Sequence, residues 1–239
     1  MHPVSYEADY QEEHNRWTTG FRLILAIPWI IVFIVYAIGS LFVTIIAWFA
    51  LLILGRYPEW AREFNTGVLR YNTRISSWAG LQTDEWPPFG IGEDDAYPVR
   101  MHIDAPETQS RLKVLFRFVL VVPALFVTYA FALVQAGAAF VSWLSIVFRG
   151  YKPRAAHDAF NYAYTYSLRF NAYWGIPIYY GIPVGGFLVD TYPPLGDEGP
   201  RRKAEREALE AGQGATTPMQ AQGEQVPPSA PPPPPASGS

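Results

Sequence analysis

The chain has 239 residues, is 50% apolar, and carries a net charge of −3 with only 16% charged side chains. It contains no Cys, which excludes disulfides, thiolate metal sites and a cysteine nucleophile. So weakly charged and slightly acidic a chain lacks the electrostatic footprint of a nucleic-acid binder.

The N-terminal stretch MHPVSYEADYQEEHNRW is polar and has no basic region ahead of a short apolar core, so no cleavable signal peptide is expected. Leu23 to Leu54 then runs 32 residues without a charge, and Phe118 to Phe148 runs 31 more. Each exceeds the roughly 18 apolar residues that mark a membrane-crossing candidate. Sliding the chain by 95 residues aligns the two runs and their surroundings without a gap. Of the 78 positions from Pro3 to Gly80, 18 are identical, among them Arg16/Arg111, Arg22/Arg117, Pro28/Pro123, Trp48/Trp143, Gly55/Gly150, Arg74/Arg169 and Gly80/Gly175. The chain is a tandem duplication.

Each unit reads as a short strand, a capped turn, an apolar block closed by Gly and Pro, an amphipathic segment and an aromatic-Pro-Pro turn. The first unit covers 2–95, with its apolar block at 21–54 and its amphipathic segment at 58–80. The second covers 96–195, with the corresponding parts at 116–148 and 154–175. The strand signal is clearest in YPVRMHIDA, where Val99, Met101 and Ile103 alternate with Arg100, His102 and Asp104. Trp60, Phe64, Val68, Tyr71, Ile75 and Trp78 recur at helical spacing. The matching FNYAYTYSLRF alternates like a strand, yet homology to the first copy assigns it to a helix. After Gly80 the second copy carries an insertion, IPIYYGIPVGG, before Asp190 resumes the match to Asp84. The tail, 196–239, is charge-rich and then Pro-rich, a disordered segment of polyproline II character. It reads as a solubilising tether, with a Pro-binding partner as the alternative.

A helix of 32 residues spans about 48 Å against a hydrocarbon core of about 30 Å. All four block ends are basic: Arg16 and Arg22, Arg56 and Arg62, Arg111 to Arg117, and Arg149 to Arg154. The positive-inside rule puts all four on the cytoplasmic side. Each block is therefore expected to be a helical hairpin turning at Gly39-Ser40 or Gln135-Ala136-Gly137, with one long kinked helix as the alternative. Pro28 and Pro123 read as kinks. The fold class is a mainly α-helical integral membrane protein of two tandem units, with a small cytoplasmic β element joining the strands around Val4 and Val99 into one pseudo-symmetric body. Both termini are expected in the cytoplasm, at the plasma membrane.

The phrases FRLILAIP, WFALLILGRYPEW, FNTGVLRYNTRISSW and TDEWPPF together resemble domain of unknown function 4389, an uncharacterised bacterial integral-membrane family. The resemblance covers two copies over about residues 2–195. It implies a membrane protein and supplies no catalytic residues.

The residues themselves show no catalytic chemistry, and no enzyme activity, cofactor or metal site is expected. His2, His14, His102 and His157 are scattered, Glu93-Asp94-Asp95 lacks the spacing of a calcium loop, and no phosphate loop is present. The polar groups inside the blocks are Ser40, Thr44, Thr128, Gln135, Ser142 and Ser145, with the phenols of Tyr36 and Tyr129, and the small hydroxyls suit helix packing better than transport. Arg56, Arg70, Arg74, Trp78, Arg169 and Tyr173 are the candidates to meet lipid headgroups, with Asp84 and Asp190 as alternative partners for Arg74 and Arg169. Membrane lipids are the expected partners, homo-oligomerisation stays open, and no nucleic acid is expected. The leading functional expectation is a membrane-organising or scaffold protein; the alternatives are a transporter or channel subunit, or the membrane anchor of a soluble partner.

Overall fold

The alternating pattern of YPVRMHIDA becomes strand β2, Val99–Ile103, which pairs antiparallel with β1, Val4–Ala8. In the computed structural model, which describes residues 2–94, 96–175 and 185–195, these two strands lie where the two units meet. Tyr6 stands opposite Met101, and these residues are repeat equivalents, 95 apart. A pseudo-twofold axis therefore passes through that pair.

The surrounding hydrogen bonds come in matched couples across the axis. Asp9 N donates to Pro98 O at 3.1 Å and Asp104 N to Pro3 O at 2.8 Å. Tyr57 N donates to Glu107 O at 3.1 Å and Lys152 N to Glu12 O at 2.9 Å. Isolated bridges join Arg56 to Thr108 and Glu13 to Tyr151. Exchanging each residue for its repeat partner converts one member of every couple into the other. This is the isologous contact of a symmetric dimer, built within one chain.

Helix α1, Arg16–Leu25, starts at Asn15, whose side chain accepts from Trp17 N and Thr18 N. It gives way at Ala26 to α2, Ile27–Leu54, with Pro28 in the first turn, where its missing N–H is tolerated. Gly55, at φ +73°, ends α2 in the left-handed conformation, and Gly150, at φ +85°, does the same for α4, Arg111–Arg149. Each stop is followed by an amphipathic return helix: α3, Glu59–Ala79, and α5, Arg154–Tyr173. FNYAYTYSLRF is helical, so homology outweighed its local alternation. Pro123 sits inside α4, which continues through it, while Pro28 stands where α1 and α2 meet.

The hairpin expectation is corrected here. Arg16–Leu54 and Arg111–Arg149 are each a 39-residue helical stretch, and the expected turns lie mid-helix. Small and polar residues sit there for packing. A Cβ on Gly39 would meet the Phe64 ring of α3 at 3.2 Å, Ser40 Oγ donates to Asn65 at 2.8 Å, and Gln135 donates to Ser167 of α5 at 2.7 Å. Seen alone, each resembled a turn signal; the return helix is what requires it.

The elements stack in three layers. The long helices each bury one narrow stripe, Ala37, Ser40, Thr44, Ala47 and Leu51 in α2, against the return helices. The return helices carry the sheet on their other side. Tyr6 packs on Tyr164 of α5 with centroids 4.9 Å apart and shares a 2.8 Å hydrogen bond with Ser77 of α3. Thr73 of α3 reaches Met101. Of the insertion, Gly185 and Gly186 lie among the described residues, and Phe187, Leu188 and Val189 after them are core. The charge-rich and Pro-rich tail lies outside the described residues.

Candidate functional site

Two features stand out: a continuous apolar face on the long helices, and a pair of buried arginine clamps that hold those helices to the rest of the chain.

The apolar face follows from the narrow stripe. Apart from it, α1, α2 and α4 leave large side chains exposed along their length, including Phe21, Ile31, Ile38, Phe42, Phe126 and Leu133. A soluble monomer rarely shows a contiguous apolar patch beyond a few hundred Å². Both helical stretches are long and apolar enough to cross a membrane. The Ser, Thr and Gln side chains of the apolar runs turn inward, while the phenol of Tyr129 stays exposed: Thr44 donates to Gly185 O at 2.9 Å and Thr128 to Ala124 O at 2.8 Å. Exposed cations stand at the helix ends, namely Arg16, Arg56, Arg111, Lys113 and Arg149.

The clamps are repeat equivalents. Arg22 is buried, donates to Trp78 O at 2.9 Å and to Asp84 at 2.5 Å, and lies over the Trp78 ring. Arg117 is fully buried, donates to Tyr173 O at 2.8 Å and Gln109 Oε1 at 3.1 Å, and sits 4.4 Å from the Tyr173 ring centre. In both copies a guanidinium near the start of the apolar block grips the C-terminal end of the return helix. The next segment repeats as well: Leu81 and Phe187, at matching places after the insertion, both adopt positive φ and both offer a carbonyl to the interior. A residue without glycine's freedom held there twice marks a turn fixed by its surroundings.

A family model matches residues 16–90 and again 111–176, two tandem segments that contain both clamps. The chain belongs to the family described as Domain of unknown function (DUF4389). No curated protein and no solved structure matches it significantly.

The two DUF4389 segments differ where Tyr57 and Asn65 of the first correspond to Lys152 and Phe160 of the second. In the first, Asn65 is fully buried; its Oδ1 accepts from Ser40 and its Nδ2 donates to Thr44 at 3.1 Å and to Tyr57 at 2.8 Å. Tyr57 OH goes on to Gly186 O at 3.1 Å. In the second, Lys152 stands where Tyr57 stood in the first copy. Its Nζ donates to Leu81 O at 2.7 Å and lies 3.0 Å from His157 Nδ1. His14 Nε2 and Arg22 both approach Asp84, at 3.9 and 2.5 Å. Among the described residues no group of three or more His, Asp or Glu side chains is placed to hold a metal.

Burial, with Arg22 next in weight, pulls Lys152 down to about 7. Burial also lowers His14, against the pull of Asp84. Through Lys152 the folded chain therefore binds fewer protons than the unfolded one from about pH 7 upward, until the buried tyrosines Tyr6, Tyr57 and Tyr97, which burial raises above the ordinary 10.0, reverse the balance as pH nears that value. Stability should rise with pH across that window and, through His14, also as pH approaches 6.5 from below. Thermal unfolding in detergent at stepped pH checks this: Lys152→Met should flatten the rise above pH 7, and an unchanged profile would contradict it.

The six lipid-headgroup candidates separate in the structure. Arg74, Trp78, Arg169 and Tyr173 are all buried, which corrects their assignment to headgroups. Arg74 donates to Gly90 O at 3.3 Å and Arg169 to Val4 O at 3.1 Å, so the first ties the chain after the aromatic-Pro-Pro turn to α3 and the second ties the sheet to α5. Trp78 and Tyr173 are the platforms under the clamps. Asp84 and Asp190 pair with Arg22 and Lys113 instead. Arg70 is bound to Glu93 at 2.8 Å, and only Arg56 is exposed. The residues missed were Arg22 and Arg117, read as membrane flanks. The repetition of Phe-Arg in both copies, 56 residues before an aromatic each time, was the available signal.

Proposed function

We propose that the protein is a membrane-organising scaffold, seated in lipid by its long helices and presenting the sheet layer to water. The observation that carries this is the segregation of the fold: apolar side chains cover most of the outside of α2 and α4, while Ser40 and Gln135 at their middles are drawn into the seams with α3 and α5. The buried clamps bond to backbone carbonyls and to neighbouring side chains, which suits a structural role. The cation-bearing helix ends favour anionic headgroups and a cytoplasmic position for both termini.

Reconstitution tests it. The full chain should remain with membranes through alkaline carbonate extraction, and purified protein should narrow or tubulate phosphatidylglycerol-containing vesicles as its density rises. Release by carbonate would remove the membrane reading. Retention with no change in vesicle shape at any density would remove the organising role and leave an anchor.

A further inference from the structure

The depth at which charge sits relative to the long helices carries a second step, which rests on the membrane reading above. We infer that α2 and α4 lie in the plane of the membrane, immersed in one leaflet, and do not cross it.

Charged groups stand level with the middles of the long helices. The stretch Arg16–Leu54 has its midpoint at residue 35, and Tyr36 packs edge-on against Tyr71 of α3, with centroids 5.5 Å apart. Next to Tyr71, Arg70 holds Glu93, whose carboxylate side chain is 79% exposed. The same holds in the second copy. Phe131, beside the midpoint of Arg111–Arg149, packs on Tyr166 of α5 at 4.9 Å, and Tyr164 of that helix carries Tyr6 at the centre of the sheet. The flanking sheet residues form the exposed Arg100–Asp9 pair at 2.7 Å. The most water-demanding groups thus stand level with the middles of both apolar helices, displaced sideways by one return helix. Were the helices to cross the bilayer, Glu93, Asp9 and Arg100 would lie at mid-hydrocarbon depth, where each charge is costly.

Laid flat, every layer meets the medium it suits. The apolar layer is one helix thick, about 10 Å, within a leaflet whose hydrocarbon is about half of 30 Å. The return helices take the headgroup level and the sheet takes water. A 39-residue stretch, about 58 Å long, no longer has to fit a 30 Å core. The four exposed arginines at the helix ends, Arg16, Arg56, Arg111 and Arg149, all come to lie at the rim of one leaflet, which satisfies the positive-inside bias without hairpins. The occupant of the face is the acyl layer of one leaflet, with anionic headgroups around its edge.

Because the chain has no Cys, single nitroxide labels can be placed at exposed positions of the full protein. Labels at Ile31, Ile38, Phe42, Phe49 and Ile53, with one at Arg100, are read in phosphatidylcholine–phosphatidylglycerol vesicles by collision with oxygen and with a water-soluble nickel chelate. The inference expects labels along α2 to show no systematic shift of depth from Ile31 to Ile53, none beyond the bilayer midplane, with Arg100 in water. A depth maximum near Ile38 falling away on both sides would overturn it and restore a crossing helix, including one that turns its polar layer toward a pore in an oligomer. Low oxygen collision at every helix position would instead defeat the membrane reading itself.

Discussion

Arg117→Ala should destabilise the protein by about 3–5 kcal/mol, because two buried neutral acceptors lose their donor and a large buried side chain leaves a cavity. Tyr173 O and the Gln109 Oε1 would lose their donor, and the aromatic rings of Tyr173 and Phe187 would face a cavity. Leaving a buried acceptor unpaired costs about 1–3 kcal/mol each, before the cavity is counted. Arg22→Ala should behave alike, since it strips Trp78 O and Asp84 of the same service. Arg56→Ala, at an exposed site, should stay within about 0.5 kcal/mol. Thermal unfolding in mild detergent reads all three. Equal tolerance at Arg117 and Arg56 would mean that the guanidinium clamps do not hold the helices together.

Asn65→Leu should cost about 2–4 kcal/mol, despite placing an apolar side chain in a fully buried site. The amide joins three elements: Ser40 and Thr44 from α2, and Tyr57 from the turn before α3. Without it, Ser40 and Tyr57 lose partners in a space water does not reach. Through Tyr57 and Thr44, both bonded to the Gly185–Gly186 backbone, the loss should spread to the second unit. Ser40→Ala, which deletes a single bond, should cost about 1 kcal/mol. The denaturant midpoint checks the order of the two variants, and a harmless Asn65→Leu would show that the amide network contributes little.

Much of this architecture was legible in the sequence because duplication prints each structural requirement twice. The strand at Val99–Ile103 was visible from alternation, and its partnership with the Val4 strand followed from the repeat. The helical stops were marked by Gly55 and Gly150 with prolines just beyond. What the sequence obscured were features defined by a neighbour in space. Gly39 and Ser40 look like a turn until Phe64 and Asn65 are seen to need that room. Arg74 and Arg169 look like headgroup ligands on an amphipathic helix. Periodicity places them on a face but cannot say that the sheet covers one and the chain after the aromatic-Pro-Pro turn covers the other. Arg22 and Arg117 look like membrane flanks because charge beside an apolar run ordinarily is one. Their burial is set by residues 56 positions away, beyond the reach of any local pattern.

The central claim is that the two repeat units close on each other across a pseudo-twofold axis within one chain, and disulfide trapping tests it most directly. Arg56 and Thr108 are antiparallel bridge partners, exposed, from different units and otherwise distant in sequence. Such partners bring Cα atoms to about 4.5–5.5 Å, inside the range a disulfide accepts. In this Cys-free chain, Arg56→Cys with Thr108→Cys should oxidise rapidly to an intramolecular bond, seen as a faster-migrating monomer on a non-reducing gel. Failure to link, or linkage only between chains, would contradict the account: the units would then be independent anchors or would exchange between molecules.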